Sequence, residues 1–168
     1  MAKLREMAAC NLAAVMDLAR RSPGAPHWPR QIYENAMEQE QTAALVAVDG
    51  DKLAGFALGT LVLDVCQLES IIVAEEFRRQ GIGGTLLQAI IDWSRQCSAQ
   101  RMELEVRAGN TAAIALYERI GFLRDGVRRS YYRDPQEDAL LMGLALDLHA
   151  KRWKKIPEMP LFGRPPRC

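Results

Sequence analysis

The chain contains no apolar run approaching the roughly 20 residues that a membrane-spanning helix requires. A helical membrane span is therefore excluded. The opening residues Met1-Ala2-Lys3-Leu4-Arg5-Glu6 carry charges where a secretory signal carries its apolar segment, so a cytoplasmic chain is expected. Cysteine and histidine are scarce. Cys10, Cys66, Cys97 and Cys168 stand far apart with no CxxC pair, and only His27 and His149 could join them. This predicts no metal site and free thiols in a reducing compartment. Net charge is nearly absent, at +1, and does not by itself announce a nucleic-acid partner.

The 168 residues, 49% of them hydrophobic, suffice for a single domain with one core. The small net charge hides an asymmetry. Residues 150–168 hold six basic residues (Lys151, Arg152, Lys154, Lys155, Arg164, Arg167) against Glu158, or +5. Residues 1–149 hold 16 basic and 20 acidic residues, or −4. The expected organisation is a mildly acidic domain over 1–149 and a basic, proline-containing extension over 150–168. That extension reads either as a solvated appendage or as a contact for an acidic partner such as ribosomal RNA.

Hydrophobic periodicity predicts the elements. A short edge strand covers 3–7. Asn11 is placed to cap a helix over 12–21, and the Ser22-Pro23-Gly24-Ala25-Pro26 run ends it. A second helix covers 30–40. Strands follow at 43–48 and 53–63, joined through Asp49-Gly50-Asp51, then at 66–73. Residues 81–97 place Ile82, Leu86, Leu87, Ile90 and Ile91 on one helical face. Over 102–106 Met102, Leu104 and Val106 alternate with Glu103, Glu105 and Arg107. Asn110 is placed to cap a helix ending near Ile120, with Gly121 as its C′ residue. Strands near 122–125 and 139–146 complete a mixed α/β layer rather than a strict βαβ alternation.

The stretch Ile71-Ile72-Val73-Ala74-Glu75-Glu76-Phe77-Arg78-Arg79-Gln80-Gly81-Ile82-Gly83-Gly84 leads from a strand through a polar turn to glycines that open a helix. Helix N-termini present unpaired N–H groups and partial positive charge, and glycine lets a phosphate approach them. The segment is built as a pyrophosphate cradle. It is not a dinucleotide fingerprint, because Leu86 stands where the third glycine is required, and it has no P-loop lysine.

Arg78-x-x-Gly81-x-Gly83 resembles the acetyl-CoA motif of GCN5-related N-acetyltransferases (the GNAT superfamily). The stretch Leu104-Glu105-Val106-Arg107-Ala108-Gly109-Asn110, continuing to Tyr117 and Gly121-Phe122, resembles the bacterial ribosomal-protein-alanine N-acetyltransferases of the RimI type. Arg128-Arg129-Ser130-Tyr131-Tyr132 and Glu137-Asp138-Ala139-Leu140-Leu141-Met142 extend that resemblance, which spans roughly residues 3–146. It implies an α/β (α+β) GNAT fold: a central, mixed, splayed sheet of about seven strands flanked by about four helices. It also implies an enzyme that moves acetyl from acetyl-CoA to a protein N-terminus, with ribosomal protein S18 as the family's acceptor. A small amine or a lysine side chain is the alternative acceptor, and a non-catalytic CoA-binding module is the alternative of another class.

By the same resemblance, backbone groups of Ile71, Ile72 and Val73 hold the acetyl and pantetheine arm. Amides of Arg79, Gln80, Gly81, Ile82, Gly83 and Gly84 take the pyrophosphate, and Asn110 and Tyr117 touch the cofactor. Glu105 is the implied base and Tyr117 the implied acid. Glu69 is a rival base on the acceptor side, Tyr131 and Tyr132 wall the peptide cleft from a loop before the last strand, and His27 and Trp28 flank it. The chemistry suits these types, since an α-amine with a pKa near 8 must lose a proton before it attacks.

Overall fold

The structure, a computed structural model, describes residues 1–146. The basic extension over 150–168 lies outside the described residues, as does the end of the expected 1–149 domain. Seven strands, β1 (Lys3–Glu6), β2 (Thr42–Asp49), β3 (Lys52–Val62), β4 (Val65–Val73), β5 (Arg101–Arg107), β6 (Leu123–Arg133) and β7 (Gln136–Ala145), form one sheet in the order β1-β2-β3-β4-β5-β7-β6. Only β4 and β5 are parallel neighbours. Helices α1 (Leu12–Arg21), α2 (Arg30–Glu38), α3 (Ile82–Gln96) and α4 (Thr111–Ile120) flank the sheet. The expected mixed sheet of seven strands and four helices is present.

Each face of the sheet has its own apolar cluster. On one side Leu86, Leu87, Ile90, Ile91 and Trp93 of α3, with Ile114 and Tyr117 of α4, pack on Leu45, Ala57, Cys66, Met102, Leu104 and Val106. On the other, Leu12, Val15, Leu18 and Ala19 of α1 and Tyr33 of α2 pack on Val46, Phe56 and Leu58. That second cluster contains no residue of β5, β6 or β7. The alternation on β5 thus sends Met102, Leu104 and Val106 inward and leaves Glu103, Glu105 and Arg107 on a sheet face without helical cover.

Three local expectations are corrected. Asn11 does not cap α1; its side-chain oxygen accepts from the Ala8 N–H at 3.0 Å, closing the preceding turn instead. β6 does not stop near residue 125 but runs to Arg133, so Tyr131 and Tyr132 lie in a strand and not in a loop. Its side chains are almost all exposed, so it lacks the apolar alternation by which a strand is read. Cys97 is only half-buried, although Cys66 is in the core. Cys66 and Cys97 are free thiols, whereas Cys10 is disulfide-bonded, so the expectation of free thiols fails there.

Glycine is required at position 55 by close approach. A Cβ there would stand 2.6 Å from the Ile72 carbonyl oxygen and 3.2 Å from Leu86 Cδ1. Gly55→Ala is expected to force β3 and α3 apart and to cost about 1–3 kcal/mol, the usual range for overpacking. Urea unfolding at fixed pH measures it.

Candidate active site

Two breaks in strand pairing create the site. On the β3 side, Leu68 and Ser70 pair with the consecutive residues Gly59 and Leu58, so Glu69 is an extra, bulged residue. A bulge bends its strand and sharpens the local twist. On the other side, parallel pairing with β5 ends at Leu68↔Leu104, although β4 continues to Val73 and β5 to Arg107. The two strands part there. Ile71, Ile72 and Val73 therefore have a β3 partner on one edge and no β5 partner on the other. Main-chain donors and acceptors on such an edge need partners.

The helix after β4 closes the wedge. Arg79 and Gly81 both adopt positive φ, 63° and 84°, and Gly81 caps α3. The Thr85 N–H reaches the Gly81 carbonyl at 3.0 Å, which begins the helical ladder and leaves the N–H groups of Ile82, Gly83 and Gly84 without an earlier helical carbonyl. A Cβ on Gly83 would stand 3.4 Å from Leu116 Cδ2 and 3.6 Å from Val73 Cγ2. The end of α3 thus rests against β4 and α4. An amide-bearing chain ending in a pyrophosphate fits this arrangement: strand edge first, helix N-terminus second. The expected residues 71–73 and 79–84 are brought together on one path.

Glu69 and Glu105 are the first residues beyond the last β4–β5 pair. They follow Gln67 and Glu103, whose side chains join across the strands at 3.0 Å. Loss of solvent around its carboxylate raises Glu69 above the usual range, and the charge of Glu105 adds to that while a hydrogen bond with Thr60 opposes it. Glu105 Oε1 forms an ion pair with Arg128 Nη1 at 2.7 Å and accepts from the Tyr131 hydroxyl. Both Glu105 and Arg128 line a cleft of about 340 Å³ with Gln67, Glu103, Asp125 and Leu141.

The tyrosines converge on the same place. Tyr117 is 5% exposed and packs on Phe122 with ring centroids 5.7 Å apart. Burial chiefly, and then Tyr132, hold its phenol well above the ordinary value. Burial and then Glu105 also raise Tyr132. Tyr131 and Tyr132 meet edge to face at 5.2 Å. Arg107 anchors this wall: its guanidinium lies 4.1 Å from the Tyr132 ring centroid and donates to Glu137, Asp134 O and Pro135 O at 3.1, 3.2 and 3.3 Å.

Asn110 caps α4, its side-chain oxygen accepting from the Ala113 N–H at 3.2 Å, which leaves its amide nitrogen for a ligand. Trp28 packs on Tyr33, centroids 5.7 Å apart, as part of the α1–α2 packing, and His27 is exposed on the loop before it. Sequence reading assigned no role to Arg128 or Arg107. Their signal was present, in the arginines on either side of the Glu105 and Tyr131-Tyr132 motifs. Among the described residues no cluster could hold a metal ion.

A model of the acetyltransferase (GNAT) family matches residues 12–122. The ribosomal protein bS18-alanine N-acetyltransferase of Salmonella typhimurium is 36% identical over 140 residues, which cover 82% of this chain and 93% of that protein. The crystal structure of the ribosomal-protein-S18-alanine N-acetyltransferase from Escherichia coli matches with a TM-score of 0.77 and 31% identity, covering 97% of this chain and 100% of that one. The fold is also that of yncA from Salmonella typhimurium, solved with its cofactor acetyl-CoA, at a TM-score of 0.76 and 19% identity over 92% of this chain and 99% of that one.

The raised Glu69 carries a pH consequence. A carboxyl whose folded value exceeds its ordinary 4.5 favours the folded state while protonated, and that contribution is lost as pH rises from about 4.5 through the raised value. Wild type is therefore expected to lose stability relative to Glu69→Gln over that rise. Thermal midpoints of the two proteins measured between pH 4 and 8 check it; parallel curves would remove the cause assigned to Glu69.

Proposed function

The chain belongs to the acetyltransferase (GNAT) family, and on that footing we propose that it acetylates the N-terminal α-amine of a protein, the alanine of ribosomal protein S18. Acetyl-CoA supplies an acetyl group activated as a thioester. The observation that carries the mechanism is the pair of carboxylates, Glu69 and Glu105, at the mouth where β4 and β5 part.

Each group has work suited to its place. The amides at the start of α3 bind the pyrophosphate, and the free edge of Ile71, Ile72 and Val73 aligns the pantetheine arm. Asn110 offers its amide nitrogen from the start of α4. Tyr131 and Tyr132 wall the acceptor. An α-amine with a pKa near 8 is mostly protonated at neutral pH, so a carboxylate must accept its proton. Glu105 takes it, with Glu69 beside it as the second acceptor. The neutral amine attacks the acyl carbon directly in a ternary complex.

Among the described residues, the core thiol Cys66 is not placed to carry an acyl group. Cys66 is buried in the core, and burial pushes its thiol up to about 11, which disfavours the thiolate that a nucleophile needs. Tyr117 faces a different constraint. A phenol held above its usual range is a weaker acid than a thiol near 8.5, so it serves the departing sulfur as a hydrogen-bond donor more than as a full proton source.

Glu105→Gln is expected to lower kcat by about 10²–10⁴, the ordinary contribution of a positioned base, with the KM for acetyl-CoA unchanged. Unchanged turnover at every pH moves the role to Glu69. Mass spectrometry of the product should place the acetyl group on the α-amine of an Ala-initiated peptide. Turnover of polyamines or lysine side chains with inert peptides would favour the other acceptors.

The 150–168 extension, with its +5 charge, is assigned to an acidic surface beside the acceptor, such as ribosomal RNA. Its deletion should leave turnover of free peptide unchanged and lower turnover of ribosomal substrate, more so at low salt. Equal turnover of both substrates would make the extension a solvated appendage.

A further inference from the structure

Arg128 was not needed to explain the reaction, yet it occupies its centre. Its guanidinium is 2.7 Å from Glu105 Oε1 and 5.3 Å from the Tyr131 ring centroid, and it lines the same cleft as Glu105. The strand is shaped to put it there. Pairing of β6 with β7 shifts register between Arg128 and Tyr132, and the intervening irregular stretch of the strand is pinned by Asp138. Asp138 accepts from the Ser130 N–H at 2.8 Å and from Arg129 Nη1 at 2.7 Å. Ser130 has a φ of 50°. Arg128 and Tyr131 therefore reach Glu105 from the two ends of one pinned irregularity.

We propose that Arg128 is a displaceable internal cation, a positioning residue that holds Glu105 where the acceptor's terminal ammonium will sit and yields it when that ammonium arrives. The proposal rests on reading Glu105 as the base. Chemistry supports the exchange. A guanidinium and an ammonium are both cations that donate to a carboxylate, so they compete for the same oxygens. The resting pair is easily broken, since the Arg128 side chain is 54% exposed and such pairs contribute little. Arg107 is different: it is 19% exposed and donates three hydrogen bonds, so it stays in place.

The exchange also bears on release of product. One ammonium proton passes to Glu105 and then to solvent, a second leaves the nitrogen as the C–N bond forms and ends on the departing sulfur, and the acetylated nitrogen carries no charge. The product cannot compete with a guanidinium for the carboxylate. Arg128 returns to Glu105, and the acetylated N-terminus is the weaker ligand.

The test uses the full chain saturated with CoA. Calorimetry measures the binding of an Ala-initiated peptide with a free N-terminus and of the same peptide N-acetylated. Arg128→Gln should tighten the free peptide about two- to five-fold, leave the acetylated peptide unchanged, and leave CoA binding unchanged. Arg128→Lys should match wild type. In a Glu105→Gln background Arg128→Gln should have no effect, because Arg128 acts through Glu105. Weaker or unchanged binding of free peptide to Arg128→Gln overturns the proposal. So does a tightening that persists without Glu105, because Arg128 would then act by long-range repulsion. Wild-type turnover by Glu105→Gln would sink the base assignment alone, a result separable from these binding data.

Discussion

The sheet stops pairing where the site begins. A parallel pair of strands is ordinarily held by evenly spaced bonds along its length. Here the ladder ends at Leu68↔Leu104, and the extra residue Glu69 bends β4 toward β3. The geometry of the candidate site depends on that interruption. It frees the edge of Ile71–Val73, points β4 at the amides of α3, and leaves two carboxylates facing a gap. A regular strand at position 69 would restore pairing and close the site.

The interruption is tolerated because the two sides of the sheet are held independently. The α3 and α4 cluster spans β2 to β7 across β5, so it ties both sides of the splay together without bonding between the outer ends of β4 and β5. The α1 and α2 cluster holds only the β2–β4 part on the opposite face. The face left uncovered on β5, β7 and β6 is where the charged residues gather. There Arg101 bridges Glu103 and Asp125, Arg128 meets Glu105, and Arg107 meets Glu137. Exposed pairs of this kind add little stability. They differ in how firmly they are held: Arg107 is 19% exposed and donates three hydrogen bonds, whereas Arg128 is 54% exposed.

The legibility of the fold followed burial. Strands and helices that bury a face, such as 102–106 and 82–96, announce themselves by period, and the element order followed from them. β6 does not, because Arg124, Arg128, Arg129, Tyr131 and Arg133 are exposed and its shape comes from pairing with β7. Asn11 was misread for a related reason. A capping side chain can close the turn before or the helix after, and only three-dimensional packing chooses. The glycines at 81 and 83 were legible as the opening of a helix because the physics is local to one turn. The bulge at Glu69 was not, since nothing in Gln67-Leu68-Glu69-Ser70 states which residue its neighbour will skip.

Glu105 and Tyr117 show how far a family pattern reaches and where geometry takes over. The resemblance pairs them as base and acid. Their surroundings divide the labour differently. Burial holds the Tyr117 phenol above its usual range, which makes it a poor acid and favours its protonated, hydrogen-bond-donating form. Glu105, by contrast, is kept in contact with solvent and with two donors, Arg128 and Tyr131. A base that must accept a proton and then release it each turnover benefits from that access. Tyr117 is buried and the Glu105 side chain is partly open to solvent, so the base and acid of the family pattern stand in different environments.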